Sequence, residues 1–200
     1  MGLAAEKLMT VMEYLDFENR SEERHEFIDG EVVAMSGSSR AHNRIAGNIF
    51  ASLHAQTEES QQCQPYMTDM RLRVANSSLY TYPDVFVTCG EERIEDDDLT
   101  LLDATLLVEV LSPSTEAYDR GEKWARYRRL PSLHDYLLVS QDRIRVERYE
   151  RVQSRGEGDG RWIFTETAEL DAVLDLRSIE CRLSLADVYK RVLFPGMHDS

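Results

Sequence analysis

The sequence has little of what several protein classes require. Its three cysteines, Cys63, Cys89 and Cys181, stand far apart with no CxxC pair. We therefore predict neither a zinc knuckle nor a disulfide framework, and expect three buried small side chains. No segment approaches the roughly 18 uncharged apolar residues of a membrane helix, and the N-terminal MGLAAEKLMTVMEYL has no cleavable signal pattern. A cytoplasmic protein with no membrane partner is expected.

Positive charge is also scarce. The 23 basic and 37 acidic residues give a formal net charge of −14, which argues against a protein that coats nucleic acid by charge alone. A role on nucleic acid would then need a local basic surface or a metal ion. The sequence also lacks a GxxxxGK[ST] phosphate loop, a GxSxG nucleophile elbow and an HExxH zinc motif, so no nucleotide cofactor is indicated.

Length and hydrophobic patterning predict one α/β domain over residues 1–200. A chain of 200 residues with 42% hydrophobic content can bury one ordinary core. Helices are predicted at 10–15, 41–59, 117–130 and 184–192. A hairpin is predicted at 24–35 around Asp29-Gly30, and further strands at 68–74, 83–89, 106–111, 135–139 and 144–151. An exposed loop is expected at 91–98 and a turn at 156–160. This order is typical of a mixed sheet with helices packed on it.

Two acidic residues lie in otherwise apolar strands. Asp84 begins PDVFV after Pro83, which suits the first residue of a strand, and Glu109 lies in the middle of LLVEVL. Burying an unpaired carboxylate costs several kcal/mol, so each acid needs a cation, a hydrogen-bond donor or a route to water. Mg²⁺ binds one or two carboxylates, with water and phosphate completing its shell. If the two strands are neighbours, the pair forms such a site.

Purely structural roles for the two acids are the alternative to a metal site. Asp84 could cap a turn, and Glu109 could pair with an arginine on a solvated strand face. Lys123 favours the metal site, because it lies in the helix after the Glu109 strand and could point back toward the sheet. There it would orient the attacking water or stabilise developing negative charge in phosphodiester hydrolysis. Taken alone, it would be a solvated helix residue.

The same helix and its flank hold a dense basic cluster. Its members are Arg120, Lys123, Arg126, Arg128 and Arg129. They could form the surface on which a nucleic-acid backbone lands. The alternative is a solvated helix face balanced by Glu116, Asp119 and Glu122.

Six segments, taken in order, resemble the Uma2 family, which belongs to the PD-(D/E)XK nuclease-like superfamily. They are RHEFIDGEVVAMSG, AHNRIAGNI, YPDVFV, LLVEVLSPST, YDRGEKWARYRRL and DYLLV. The resemblance spans about residues 9–192, and its motifs are specific in combination, whereas each alone is weak. It implies a restriction-endonuclease-like core with a central mixed β-sheet flanked by helices. It also implies that Asp84 is the PD acid and Glu109 the acid of the E-x-K element.

The resemblance extends to three further residues and fails at one. Leu111 stands where the lysine of E-x-K would be, and Lys123 resembles the migrated lysine that the family carries on the next helix. Glu26 corresponds to the family's N-terminal acid, as an additional metal ligand or to orient a metal-bound water; otherwise it is a surface strand residue. His42 matches a histidine that could contact phosphate or transfer a proton; otherwise it caps or packs a helix.

The resemblance implies a divalent-metal-dependent endonuclease acting on DNA. Asp84 and Glu109 would bind one or two Mg²⁺ or Mn²⁺ ions, a metal-bound water would attack a phosphodiester, and Lys123 would assist electrostatically. A homodimer is expected, since cutting both strands of a duplex takes two active centres. The competing hypothesis is a nuclease-like module that binds nucleic acid or protein and has lost efficient chemistry through Leu111. A third is an intact centre that acts only within a larger system.

Overall fold

The structure, a computed structural model of the chain, describes residues 8–35, 37–58, 62–74, 78–95, 98–152 and 160–194. The strands in these ranges are β1 His25–Ile28, β2 Glu31–Ala34, β3 Cys63–Met67, β4 Arg71–Val74, β5 Leu79–Thr81, β6 Val85–Cys89, β7 Thr100–Leu101, β8 Leu106–Leu111, β9 Asp135–Ser140, β10 Val146–Val152, β11 Arg161–Thr167, β12 Val173–Leu176 and β13 Cys181–Ser184. The helices are α1 Val11–Glu18, α2 Arg40–Thr57, α3 Glu116–Tyr118, α4 Trp124–Tyr127 and α5 Leu185–Val188. A π-helical turn, Asp119–Lys123, joins α3 to α4, and a 3-10 turn, Arg177–Ile179, follows β12.

A six-stranded mixed sheet in the order β11-β10-β9-β8-β6-β3 forms the centre of the molecule. Its strands pair antiparallel except β8 and β9, which run parallel. A five-stranded sheet, in the order β2-β1-β5-β4-β7, and the β12-β13 pair complete the strand structure. The predicted α/β class with a central mixed sheet is confirmed, and a second large sheet is added to it.

The central sheet is covered on both faces, and β8 shows how. All six of its side chains are buried. Leu106, Val108 and Val110 pack in one cluster with α2 and α5. Leu107 and Leu111 pack in another, with the five-stranded sheet and α4. Because successive side chains of a strand point to opposite faces, Glu109 shares the face of Leu107 and Leu111.

The first two elements and α2 follow the sequence signals closely. Thr10 caps α1, and its hydroxyl accepts a hydrogen bond from the Glu13 amide at 3.2 Å while the Glu13 carboxylate accepts from Thr10. The turn of the β1-β2 hairpin falls at Asp29 and Gly30, with φ of 51° and 102°. Positive φ at both positions is the backbone that this dipeptide favours in a two-residue hairpin.

Strand boundaries depart from prediction where turns intervene. The strand predicted at 68–74 begins only at Arg71, because the chain turns before it with Asp69 at φ 91°. The short strands β3, β5 and β7 were not predicted. The described part of the predicted loop 91–98 is largely exposed, and most of the predicted turn at 156–160 lies outside the described residues.

Two predicted helices are shorter or less regular than expected. The helix predicted at 117–130 contains the π-helical turn and ends at Tyr127. The helix predicted at 184–192 ends at Val188, and the side chain of Ser184 makes no capping hydrogen bond. Apolar residues beyond the two helix ends, Leu130 and Val192, are still buried in the core.

The expectation of three unpaired cysteines is wrong for two of them. Cys63 and Cys89 form a disulfide bond. They lie opposite each other on the antiparallel strands β3 and β6, with their Cα atoms 4.0 Å apart. The strand pairing brings together residues 26 positions apart in sequence, and β3 was not predicted. Cys181 is free and buried, as expected.

Within the described ranges, no helix combines the length and the hydropathy needed to cross a membrane.

The disulfide predicts a thiol count and a stability effect. We expect denatured protein to titrate one thiol per chain without reductant and three with it. Because the bond closes a loop of 26 residues, we expect the double variant Cys63→Ala/Cys89→Ala to lose about 2–4 kcal/mol of unfolding free energy in urea melts. Adding reductant should not destabilise that variant further, whereas Cys181→Ala should keep its sensitivity to reductant. Three reactive thiols without reductant would contradict the assignment.

Candidate active site

The register of β6 and β8 brings the two strand acids together. Val85 lies opposite Val108 in this antiparallel pair, so one step further along the register places Asp84 opposite Glu109. The Val110 amide donates to Asp84 Oδ2 at 2.7 Å, which fixes the carboxylate at the sheet. The condition that the two strands be neighbours is therefore met.

Glu109 lies in the core rather than on a solvated face. Its side chain is only 6% exposed, and the Tyr127 hydroxyl donates to Glu109 Oε1 at 2.8 Å. Its ionic partner is a lysine, so the alternative of an arginine pair on an open strand face is wrong.

Lys123 is the cation at the centre of the site. Its Nζ lies 2.9 Å from Glu109 Oε1, 2.9 Å from Glu26 Oε1 and 3.7 Å from Asp119 Oδ1. The lysine ends the π-helical turn, and its side chain points to the sheet and is 7% exposed. Turns of π-helix inside helices occur frequently at functional sites. The structure thus brings Lys123 to Glu109, and the alternative of a solvated helix residue is wrong.

Glu26 and His42 also belong to this cluster. Glu26 is buried on β1, where it pairs with Lys123 and accepts a hydrogen bond from the Thr81 hydroxyl; the alternative of a surface glutamate is wrong. His42 Nε2 lies 3.2 Å from Asp84 Oδ2. The cap of α2 is Ser39, whose hydroxyl accepts from the His42 amide at 3.0 Å, so the imidazole contacts the acid rather than capping the helix.

Burial and like charges dominate the electrostatics. Burial raises the pKa of Glu109. The positive charge of Lys123 lowers this pKa, whereas the negative charges of Asp119, Asp84 and Glu26 raise it further. Burial alone would lower the pKa of Lys123, but Glu109 and Glu26 outweigh it and raise that pKa well above its ordinary value. Three carboxylates, those of Glu26, Glu109 and Asp119, thus contact one lysine ammonium, and Asp84 is a fourth acid near Glu109. A divalent cation bound beside these acids would offset the repulsion that raises the pKa of Glu109.

The donors fit a divalent ion that keeps part of its water shell. Within the described ranges, no three histidine, cysteine, aspartate or glutamate side chains converge as a metal-ligand group, and the role of Glu26 as an additional metal ligand stays a prediction. Two opposed carboxylates at a cavity, with water and substrate phosphate completing the shell, are the coordination that Mg²⁺ favours. Asp84 and Glu109 are the residues that would hold the ion.

A cavity of about 380 Å³ opens over these groups. The carboxylates, His42 and Lys123 line it together with the β1-β2 hairpin and the turn after β8. In that turn the Ser112 hydroxyl contacts the hydroxyls of Ser114 and Thr115, at 3.0 and 2.9 Å. The Tyr118 hydroxyl, on the same lining, is buried and has no hydrogen-bond partner in the part of the chain described.

Acids pair with part of the basic cluster that was predicted as a surface for a nucleic-acid backbone. Arg120 pairs with Glu147 at 2.9 Å and also with Glu116, and Arg126 pairs with Asp29 at 2.5 Å. With Lys123 inside the site, three of the five basic side chains are neutralised by acids. Only Arg128 and Arg129 remain exposed without an ion pair within the described ranges.

Sequence reasoning missed three contributors to the site. Asp119 is predicted there only as a surface counter-charge, and Tyr118 and Tyr127 are not singled out at all. The spacing of Asp119, Lys123 and Tyr127 by four residues was the available signal, since such residues share one helix face.

Comparison with known proteins supplies the family. The family model of Uma2, described as "Putative restriction endonuclease", matches residues 11–186. Two uncharacterized proteins of Synechocystis sp. are similar along most of their length. The protein sll1609 is 37% identical over 83% of this chain and 91% of its own, and slr1290 is 36% identical over 91% and 92%.

A solved structure supports the fold. The crystal structure of "a putative nuclease belonging to DUF820" from Anabaena variabilis superposes with a TM-score of 0.74, covering 92% of this chain and 99% of that one. At 17% identity this likeness speaks for the fold alone. The family match and the two Synechocystis relatives establish that the chain belongs to the Uma2 family.

Proposed function

We propose that the protein is a divalent-metal-dependent nuclease that hydrolyses phosphodiester bonds of DNA, with Asp84 and Glu109 as ligands of Mg²⁺ or Mn²⁺. The observation that carries the proposal is the placement of these two carboxylates, opposed on neighbouring strands and lining a cavity beside Lys123. Membership of the family described as "Putative restriction endonuclease" supports the same reaction class.

Each residue of the cluster has a role that its contacts suggest. A bound divalent ion would supply an acidified water and neutralise phosphate charge. Lys123 stabilises the negative charge that develops on the phosphate, Glu26 holds Lys123 in place, and the Tyr127 hydroxyl orients the Glu109 carboxylate. His42, beside Asp84, is placed to accept or deliver a proton.

The substitution at the E-x-K position fits this scheme. Leu111 lies two residues after Glu109 on the same face of β8 and packs in the apolar cluster there. The ammonium of Lys123 reaches Glu109 from the π-helical turn instead. We therefore infer that Lys123 replaces the strand lysine as the catalytic cation.

A module that binds without cutting remains the second candidate. The net charge of −14 and the ion pairs that neutralise Arg120 and Arg126 favour it, because they remove much of the positive surface that a nuclease would offer to a duplex. A homodimer and a cytoplasmic location stay predictions.

Metal binding is the first test of the proposed site. We expect calorimetry to detect Mn²⁺ or Mg²⁺ binding by the wild-type protein, measured with and without DNA because substrate phosphate can complete the shell. Asp84→Asn and Glu109→Gln should weaken binding and lower the cleavage rate at least about 100-fold, with circular dichroism showing that both still fold. Asp171→Asn, on the exposed surface, is the matched control. Cleavage that survives both substitutions would refute the mechanism.

Lys123 links stability to catalysis. In Lys123→Met the buried Glu26 and Glu109 lose their cation, so in chelator we expect a loss of about 3–5 kcal/mol of unfolding free energy. Mn²⁺ should restore part of this loss, because the ion supplies the missing positive charge. Cleavage should fall about 10²–10³-fold.

Arg129→Met, an exposed change on the segment after α4, serves as the control for Lys123→Met and should alter neither stability nor cleavage. A Lys123→Met protein that is as stable as the wild type and cuts DNA normally would show that the lysine is not the central cation.

A further inference from the structure

The size and depth of the cavity limit what can reach the acids. Its volume of about 380 Å³ is typical of a site that binds one small ligand. Glu109 and Lys123, deep in the lining, are 6% and 7% exposed. A DNA duplex is stiff, with a persistence length of about 50 nm, and bending it into a small cavity is costly. A flexible unpaired strand has no such constraint.

One wall of the cavity is apolar. It is made by Ile28, Val33, Ala34 and Met35 of the β1-β2 hairpin. The hairpin is tied to the helical segment at two places, by Glu26 with Lys123 and by Asp29, at its turn, with Arg126. A fixed apolar wall can pack against a nucleobase but has no hydrogen-bond donor or positive charge for a phosphate. Bases present their faces to protein only when they are unstacked and unpaired.

The charges around the cavity also favour a single strand over a duplex. Affinity for duplex DNA comes largely from basic side chains that neutralise several backbone phosphates. Within the described ranges, the basic side chains lining the cavity are Lys123 and His42, and Arg120 and Arg126 are held by acids. These two side chains can neutralise about one phosphate, whereas a duplex presents several phosphates to the protein.

The Tyr118 hydroxyl supplies a donor for an incoming group. It is buried on the cavity lining without a hydrogen-bond partner in the described part of the chain. Burial raises its pKa, which the nearby negative charges of Glu26 and Glu109 reinforce and Lys123 opposes, so the hydroxyl keeps its proton. A buried donor without a partner is costly, and a phosphate oxygen would satisfy it.

We propose that the cavity binds one nucleotide of an unpaired strand, so that the substrate is single-stranded DNA or the unpaired flap of a duplex. The phosphate lies at Asp84, Glu109 and Lys123, where the Tyr118 hydroxyl donates to it, and the base lies against the Val33 wall. This inference rests on the proposed nuclease function and gives it a substrate class.

The test compares three DNAs of one sequence: a single strand, a blunt duplex and a duplex with an unpaired flap. In Mg²⁺ or Mn²⁺ we expect kcat/KM at least about 10-fold higher for the single strand, and flapped duplex cut only in its unpaired part. Fluorescence anisotropy with Asp84→Asn should show the same order of affinity. A blunt duplex cut as fast as the single strand would overturn the inference but leave the proposed function standing. Preferential binding of the single strand without cleavage by the wild type would support the cavity assignment and refute hydrolysis.

Two variants test the contacts, and a third is the control. Tyr118→Phe keeps the ring and should raise KM for the single strand about 10-fold, with metal binding in the absence of DNA unchanged. Val33→Glu puts negative charge on the wall and should weaken single-strand binding by a similar factor. Val173→Glu is the matched control, because both valines are 45% exposed and Val173 lies on β12, away from the cavity lining. Wild-type binding and cleavage by both test variants would overturn the inference.

Discussion

The ammonium of Lys123 is the interaction on which the arrangement of the site depends. It joins Glu26 of the five-stranded sheet, Glu109 of the central sheet and Asp119 of its own π-helical turn. Each carboxylate would be costly to bury alone, and the lysine would be costly to bury without them. The cluster therefore holds two sheets and a helical segment in one mutual position, and places the residues of the proposed chemistry around one cavity.

The alternation of β8 explains why this cluster can lie inside the molecule. Leu106, Val108 and Val110 belong to the core under α2, and Leu107 and Leu111 to the core under the second sheet. Glu109 takes the position between the last two. A polar group there is tolerated because Tyr127 and Lys123 satisfy it. The strongly apolar strand thus fixes the height and direction of the acid.

The acidic character of the chain and a role on nucleic acid are compatible in this geometry. A protein that binds duplex DNA through its phosphates needs many basic side chains that are not paired with acids. In this chain, most of the basic cluster is paired with acids such as Glu147 and Asp29. What the cavity offers instead is one buried ammonium, a pair of carboxylates suited to a divalent ion, and an apolar wall. Recognition would then rest on the metal and on one nucleotide rather than on a long electrostatic surface.

The sequence by itself determined the features that depend on neighbouring residues. Three kinds of feature could be predicted: the Asp29-Gly30 turn, the Thr10 cap, and the acids Asp84 and Glu109 in apolar strands. Each depends on local backbone preference or on the cost of burying charge, which a few neighbouring residues determine. Their resemblance to a family motif placed Lys123 in the same group. The roles assigned to these residues remain proposals.

Only the tertiary structure decided the features that join distant parts of the chain. The strand pairing put Cys63 beside Cys89, and the second sheet is completed by β5 and β7, strands of three and two residues that are too short for a periodic signal. Glu147 and Asp29, which pair with Arg120 and Arg126, stand 27 and 97 residues away in sequence, so these two pairs could not be predicted, whereas the pair of Arg120 with Glu116, four residues away, could. Contacts over such separations depend on how sheets and helices pack, and no local pattern encodes them.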